Sequence, residues 1–148
     1  MYNIGMNGAI SMPYKTMAKY PGMRPRDVAI WETFVIQNPK RFDRVWYDVH
    51  MGDPVSEDQI YEEVVSNGMY DVSRWCVDVI AEDEDAIYII EVKPDAMAGA
   101  LGQALAYSKL ITKEIWFKKP LIPVVMTDSI GPITQQAADL MGVTLLTP

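Results

Sequence analysis

Two neighbouring segments of the chain place ionisable side chains inside apolar runs. Asp78 is flanked by two valines, and Glu91 follows the run from Ala86 to Ile90, with Lys93 two residues further on. A charge at a core-facing strand position is unfavourable unless it is paired, hydrogen-bonded or bound to metal. Carboxylates suit hard cations such as Mg²⁺ or Mn²⁺, and a lysine beside them can activate water or stabilise charge on a phosphate. The spacing predicts metal-dependent phosphodiester hydrolysis, with an ordinary buried ion pair as the alternative.

Two strands joined by a turn must position these side chains. Residues 73–81 and 86–92 are apolar and β-branched, which predicts strands on either side of an acidic turn at 82–85. Side chains alternate along a strand, so Glu91 and Lys93 share a face. With a turn of two or four residues, Asp78 lies opposite residue 89 or 91 on that same face, whereas a three-residue turn with a bulge would shift the parity. The acidic turn itself is expected to be solvated.

The remaining elements follow from the periodicity of the apolar residues. The pattern predicts helices at 24–38, 57–66, 95–112 and 131–142 and further strands at 44–49, 121–126 and 143–146. The resulting order, α, β, short α, β, β, α, β, α, β, predicts an α/β fold with a mixed central β-sheet flanked by helices. The length of 148 residues fits one domain, with residues 1–23 as an irregular N-terminal arm.

The pattern of Asp78 followed by Glu91-x-Lys93 resembles the PD-(D/E)xK signature of a phosphodiesterase superfamily that includes restriction enzymes, resolvases and exonucleases. Val77 stands where the nominal pattern has proline. The resemblance implies a restriction-endonuclease-like αβββαβ core, with the short second helix as an insertion. It also implies that Asp78, Glu91 and the backbone carbonyl of Val92 bind Mg²⁺ or Mn²⁺, while Lys93 orients the attacking water.

Two features outside the motif extend this resemblance. Gln103 and Tyr107 are four residues apart in a predicted helix and so share a face. They are similar to the Gln-x-x-x-Tyr element of the RecB and lambda-exonuclease branch, which implies that Gln103 completes the site and Tyr107 contacts the DNA backbone. Glu32 resembles the first-helix glutamate that many members add to the metal ligands. A polar position on the helix surface is the alternative for each of these side chains.

Cationic residues outside the motif are candidates for contacts with nucleic-acid phosphates. Residues 1–50 carry seven Lys and Arg against four Asp and Glu, whereas residues 51–100 carry two against thirteen, within a net charge of -7. The basic N-terminal third is therefore expected to face phosphate, although the acidic total argues against a high-affinity DNA binder. The candidate nucleic-acid contacts are Arg24, Arg26, Lys40, Arg41, Arg74 and Tyr107, and RNA is not excluded as the partner.

The chain contains a single cysteine and a single histidine. Cys76 excludes an internal disulfide and a zinc cluster built from cysteines, and it indicates a reducing, cytoplasmic setting. His50 follows a predicted strand and is expected in a solvent-exposed loop. No apolar stretch approaches the roughly 20 residues that span a bilayer, so no membrane partner is expected; a homo-oligomer is left open.

The function predicted from these residues is a Mg²⁺- or Mn²⁺-dependent nuclease that cuts DNA. A nuclease-fold binding or assembly module without catalysis is the second hypothesis, favoured by the acidic balance and small size. The intact Asp, Glu and Lys set argues against it, because a disused site has no physical reason to keep charges inside a sheet. A third possibility, an unrelated α/β domain with an accidental match, predicts that Asp78 and Lys93 lie far apart.

Overall fold

The computed structural model describes residues 6–51 and 75–148. The helix predicted at 57–66 and the candidate Arg74 lie outside the described residues. The strands are β1 (Met12–Pro13), β2 (Arg44–Met51), β3 (Trp75–Glu82), β4 (Ile87–Val92), β5 (Leu121–Met126) and β6 (Thr144–Leu146). The helices are α1 (Pro25–Gln37), α2 (Ala98–Leu110) and α3 (Pro132–Met141), and a 3-10 turn (Ile111–Lys113) follows α2.

All six strands form one mixed sheet, in which spatial order follows chain order. Strands β1 to β4 are antiparallel neighbours, whereas β5 runs parallel to β4 and β6 runs parallel to β5. Parallel neighbours need a crossover connection, and here α2 links β4 to β5 while α3 links β5 to β6. The prediction of an α/β fold with a mixed sheet is confirmed.

Strand β4 separates two layers of the core, as its continuous apolar sequence predicts for a strand covered on both faces. Tyr88, Ile90 and Val92 belong to the cluster that contains the buried side of α1. Ile87 and Ile89 belong to the cluster on the opposite face. Every residue of β4 is buried, so Glu91 lies in the centre of the sheet rather than at an edge.

The predicted helix boundaries are correct for α1 and displaced for α2. Pro25 occupies the first turn of α1, as its fixed backbone angle favours. The predicted start of α2 at Asp95 is three residues early: Asp95 has a φ of 48°, in the left-handed region, and the helix begins only at Ala98. A right-handed helix cannot include such a residue, and sequence periodicity does not reveal it.

The described part of the N-terminal arm, residues 6–23, packs onto the core. Its strand β1 pairs with β2, and Tyr14 and Tyr20 are buried. The Tyr14 hydroxyl donates a hydrogen bond to the Asn38 carbonyl over 2.8 Å, and its ring meets the Phe42 ring edge-on at 5.3 Å. Aromatic anchors thus attach a segment with little regular structure of its own.

Candidate functional site

Strands β3 and β4 bring Asp78 and Glu91 together. Val79 pairs with Ile90 and Glu82 pairs with Ile87, so four residues form the turn between the strands. Continuing this register one residue past Val79 places Asp78 beside Glu91, as predicted for a turn of that length. The two carboxyl groups share a hydrogen bond. The expected convergence of two carboxylates is therefore found.

Backbone amides orient both carboxyl groups, yet one oxygen is left without a donor. The Val92 N–H donates to Asp78 Oδ2 over 2.9 Å, and the Asp78 N–H donates to the Glu91 carboxylate. Glu91 is 6% exposed, and its Oε1 has no hydrogen-bond partner among the described residues. Buried polar atoms are nearly always satisfied, so this orphaned oxygen marks a position where a cation or a donor is expected to bind.

The electrostatics of the pair favour a bound proton in the absence of metal. Burial raises the pKa of Glu91 well above its usual range, and the charge of Asp78 raises it further. Burial also raises the pKa of Asp78, against the hydrogen bond from the Val92 N–H, which lowers it. Two carboxyl groups in contact cannot both ionise easily in a low-dielectric site. A divalent cation would supply the charge that the pair now obtains from a proton.

Two further acids, Asp27 and Asp48, act on this pair. Their charges raise the pKa of Asp78, and Asp27 does the same for Glu91. In the sequence, Asp48 shows the signal that singled out Asp78, because it interrupts the apolar side chains of a predicted strand. The pairing of Tyr47 with Val79 and of Val49 with Val77 places Asp48 beside Asp78. Acids on three adjacent strands therefore follow one another across the sheet.

Helix α1 supplies Asp27 as an acid whose charge reaches the pair. The buried residues of α1 include Ile30 and Trp31, and Asp27 lies one turn before them on the same face. Glu32 follows Trp31 directly, so it is rotated by about 100° away from that residue around the helix. Helical geometry could have identified Asp27 from the sequence. The role of Glu32 as a metal ligand stays a prediction.

Lys93 lies immediately after β4 and is exposed. Its backbone N–H donates to the Met126 carbonyl over 2.9 Å. Within residues 6–51 and 75–148, the Lys93 ammonium group forms no ion pair with Asp78 or Glu91. The alternative of an ordinary buried ion pair therefore does not describe these residues, and the ammonium group is open to solvent at the end of the strand.

Gln103 and Tyr107 lie on one face of α2, as their spacing predicts. The Gln103 amide donates to the Tyr107 hydroxyl over 2.9 Å. The pKa of Tyr107 is raised first by burial and then, after the opposing effect of Gln103, by the charges of Glu91, Asp78 and Cys76. Tyr107 therefore lies close enough to the carboxylate pair to sense its charge.

The structure divides the predicted phosphate contacts between two ends of the sheet. Arg26 forms an exposed ion pair of 3.3 Å with Asp95, two residues beyond Lys93, and Arg24 lies at the same end of α1. Arg41 instead forms an ion pair of 2.8 Å with Asp83 in the β3–β4 turn, and Lys40 precedes it. The turn and Glu91 are at opposite ends of β4, roughly 10 Å or more apart at 3.3 Å per residue. Lys40 and Arg41 are thus remote from the carboxylate pair.

The prediction that the acidic turn is solvated is confirmed for Glu84 and Asp85, which are exposed. It is wrong for Glu82 and Asp83, which have cationic partners. Glu82 is 4% exposed, and its carboxylate accepts from the Arg44 guanidinium over 2.8 Å. The sequence distance between residues 44 and 82 hides this partner, because the β2–β3 register brings the two residues together.

His50 lies in strand β2, and the prediction of an exposed loop is wrong. It pairs with Cys76 across β2 and β3, and its Nδ1 is 3.1 Å from the Cys76 Sγ. Its Nε2 is 3.3 Å from Asp48 Oδ2. Strand β2 continues to Met51, two residues beyond the predicted end, because pairing with β3 extends it.

Comparisons with protein-family models, curated proteins and solved structures found no match. The resemblance to the PD-(D/E)xK superfamily therefore depends on the motif residues and their placement. In the part of the chain that the structure describes, no helix has the length and apolar character needed to cross a membrane.

Proposed function

We propose that this protein is a Mg²⁺- or Mn²⁺-dependent nuclease that hydrolyses DNA phosphodiester bonds at Asp78 and Glu91. One observation carries the proposal: two buried carboxyl groups touch each other, and Glu91 Oε1 has no donor among the described residues. A structural carboxylate needs a cation or a donor, as Glu82 has in Arg44. A metal ligand instead needs an oxygen that is free to bind the ion, and hard cations prefer such oxygens.

The donor set fits a hard cation. Asp78 and Glu91 would hold it, with the Val92 carbonyl as a further ligand and Asp27, on the buried face of α1, as a further acid beside them. When bound, the ion would polarise the phosphodiester and lower the pKa of a water molecule. The Val92 N–H fixes the orientation of the Asp78 carboxylate by its hydrogen bond. That contact makes the position of one proposed ligand independent of the ion.

The other proposed site residues would act on the substrate. Lys93, exposed at the end of β4, would orient the attacking water or stabilise charge on the phosphate. Gln103 donates to the Tyr107 hydroxyl; Gln103 would complete the site, and Tyr107 would contact the nucleic-acid backbone. Arg24 and Arg26 lie at the start of α1 and would bind phosphates further along the nucleic-acid chain. DNA is the substrate to test first and RNA the second.

The order of the elements supports a restriction-endonuclease-like core as part of this proposal. Helix α1, strands β2 to β4, helix α2 and strand β5 follow one another as αβββαβ. In this arrangement β1, α3 and β6 are additions to the core. The proposal also includes a cytoplasmic location, which the single cysteine indicates. It leaves open that the protein forms a homo-oligomer.

The direct test is cleavage of plasmid, linear duplex, single-stranded DNA and RNA with Mg²⁺, Mn²⁺, Ca²⁺ or a chelator. Cleavage should require Mg²⁺ or Mn²⁺. Lys93→Ala should abolish cleavage while leaving Mn²⁺ affinity intact and stability within about 0.5 kcal/mol, because this side chain is exposed. Asp78→Asn should abolish cleavage and weaken Mn²⁺ binding by at least about 100-fold. Metal-dependent cleavage that persists in Asp78→Asn would refute the proposed site.

A nuclease-fold binding module without catalysis is the second candidate. The observation that favours it is the absence of any ion pair between Lys93 and the carboxylates in the described ranges. Calorimetric titration with Mn²⁺ discriminates between the two candidates. Binding accompanied by cleavage supports the nuclease, whereas no binding at millimolar Mn²⁺, or binding without cleavage of any of the four substrates, supports the module.

A further inference from the structure

A second group of metal-ligating side chains lies next to the carboxylate pair. Asp48, His50 and Cys76 each offer one ligand atom, and these atoms all lie within 4.8 Å of one another. We propose that these three residues form a separate binding site for a borderline-soft divalent cation of the zinc class. The proposal concerns cation binding alone, so it holds or fails independently of nuclease activity.

The pairing of β2 with β3 creates this cluster. His50 and Cys76 are partners across the two strands, which brings the imidazole Nδ1 to 3.1 Å from the Sγ. Their separation of 26 residues along the chain falls outside the short ligand spacings typical of zinc motifs. The site is therefore a product of strand register, and no local pattern in the sequence indicates it.

The backbone directs Asp48 toward the histidine at an energetic cost. Asp48 has a φ of 52°, in the left-handed region, which is unfavourable for a residue with a side chain. Its Oδ2 lies 3.3 Å from His50 Nε2, the ring nitrogen opposite the one that contacts Cys76, so an ion shared by Nδ1 and Sγ requires the Asp48 carboxylate to rotate toward Nδ1. A β-carbon at Gly22 would lie 2.7 Å from the Asp48 Cγ, so a side chain at position 22 would displace this carboxylate. Such local strain is concentrated at functional sites.

The donor atoms select a different cation from the one that suits Asp78 and Glu91. One sulfur, one nitrogen and one oxygen match zinc, whereas oxygen ligands alone match Mg²⁺ and Mn²⁺. Zn–S and Zn–N bonds in tetrahedral geometry separate the two ligand atoms by about 3.6 Å. The observed 3.1 Å between Sγ and Nδ1 therefore requires a widening of about half an ångström, well within the range of a side-chain adjustment.

The cluster is accessible, and it leaves one coordination position open. The side chains of His50 and Asp48 are 44% and 35% exposed, so an ion can enter from solvent. Three protein ligands are one fewer than a closed structural zinc site uses, and the fourth position would hold water or an exogenous ligand. This arrangement predicts exchangeable binding rather than an ion required for folding.

Cobalt substitution tests the site in the full-length protein. Co²⁺ should give a thiolate-to-cobalt charge-transfer band in the near ultraviolet and intense visible bands of tetrahedral geometry. One equivalent of Zn²⁺ should remove both signals. Cys76→Ser should lose the charge-transfer band, and His50→Asn should weaken Zn²⁺ binding at least about tenfold, measured by competition with a chromophoric chelator.

The control variant is Glu91→Gln, which removes the proposed Mn²⁺ ligand and should leave the cobalt spectrum unchanged. Cys76→Ser should in turn leave Mn²⁺ binding unchanged, so failure of this site is distinguishable from failure of the nuclease proposal. Should Cys76→Ser fail to fold, alkylation of Cys76 in the wild-type protein replaces it: Zn²⁺ should slow the reaction and Mg²⁺ should not. No charge-transfer band, unchanged Zn²⁺ affinity in His50→Asn, or alkylation unaffected by Zn²⁺ would each overturn the proposal.

Discussion

The two ends of the β3–β4 hairpin contain buried acids in opposite electrostatic settings. At the turn, Glu82 lies 2.8 Å from the Arg44 guanidinium and 3.8 Å from the Lys119 ammonium. At the open end, Asp78 and Glu91 face each other and further acids, with no cation paired to them among the described residues. Burial of a carboxylate is common to both ends, so burial alone does not mark a site. The presence or absence of a counter-ion separates a structural role from a proposed ligand role.

The pKa values follow the same division. At the turn, burial acts to raise the pKa of Asp83, but hydrogen bonds from Tyr88 and Arg41 and from two backbone amides lower it to about 2. At the open end, burial raises the pKa of both acids and their mutual repulsion raises that of Glu91 further. One end therefore stabilises the ionised form and the other end the protonated form.

The largest expected difference between the two ends is in metal affinity. Asp78→Asn should weaken Mn²⁺ binding by at least about 100-fold, because even residues that only support metal ligands change affinity by up to that factor. Asp83→Asn removes a charge of the same type at the turn and should leave Mn²⁺ affinity unchanged. Isothermal titration calorimetry measures both. Equal losses in the two variants would show that Mn²⁺ binds through general acidity rather than at a specific site.

The second expected effect is a loss of stability at the turn. Glu82→Gln should lower the free energy of unfolding by about 2 kcal/mol, because Arg44 and Lys119 lose their partner. The loss is smaller than for a fully buried ion pair, since these two cations are partly exposed. Urea denaturation measures the change. Glu84→Gln in the same turn is the control and should stay within about 0.5 kcal/mol, since Glu84 is exposed. An unchanged free energy of unfolding in Glu82→Gln would mean that these ion pairs contribute little to stability.

The third expected effect is a gain in stability at the open end of the hairpin. Glu91→Gln should raise the free energy of unfolding of the metal-free protein by about 1 kcal/mol near pH 8, because the amide is neutral, whereas folding of the wild type must bind a proton at Glu91 or leave two carboxylates in contact. Saturating Mn²⁺ should stabilise the wild type and not the variant, since ligands stabilise only the form that binds them. A variant that is less stable than the wild type without metal would contradict the electrostatic account of the pair.

The smallest expected effect is a difference in pH dependence. The raised pKa of Glu91 means that its stabilising contribution is complete below the unfolded value of 4.5 and is lost as pH rises toward the folded pKa. The lowered pKa of Asp83 means that its contribution is complete above 3.8 and is lost as pH falls toward about 2.

Stability curves of the metal-free variants separate these contributions. Glu91→Gln should flatten the decline in stability above about pH 5. Asp83→Asn should flatten the decline below about pH 4, by under about 1 kcal/mol, because the ion pair between Asp83 and Arg41 is accessible to solvent. Thermal denaturation in a pH series measures both slopes. Parallel curves for the wild type and both variants would remove the electrostatic distinction between the two ends.

Prediction from the sequence was most successful where local pattern decides structure. The strand at 86–92 and the four-residue turn before it placed Asp78 beside Glu91, because side-chain alternation and turn length fix strand register. The same alternation could have singled out Asp48, which interrupts a predicted strand in the same way. Helical spacing could likewise have shown that Asp27, and not Glu32, shares the buried face of α1.

Prediction failed where a partner distant in the chain decides the environment of a residue. The sequence predicts a loop at His50 because this residue follows an apolar strand and precedes Met51-Gly52-Asp53, yet pairing with β3 continues the strand. The sequence predicts a solvated turn at Glu82 because this residue begins a run of acids, yet Arg44 and Lys119 form ion pairs with it. Spacing along the sequence does not identify strand β3 as the partner of His50, or Arg44 and Lys119 as the partners of Glu82.

The sequence by itself determined the order of the strands and helices from α1 to β6, the apolar character of β4 and the convergence of Asp78 with Glu91, because each depends on residues within one hairpin or one helical turn. It did not predict β1, which lies in the arm expected to be irregular. Only the tertiary structure decided which acids have cations beside them and which have none. It alone also assembled Asp48, His50 and Cys76. Ion pairing and metal ligation are set by distances of a few ångströms between strands, and those distances are fixed by the packing of the whole sheet.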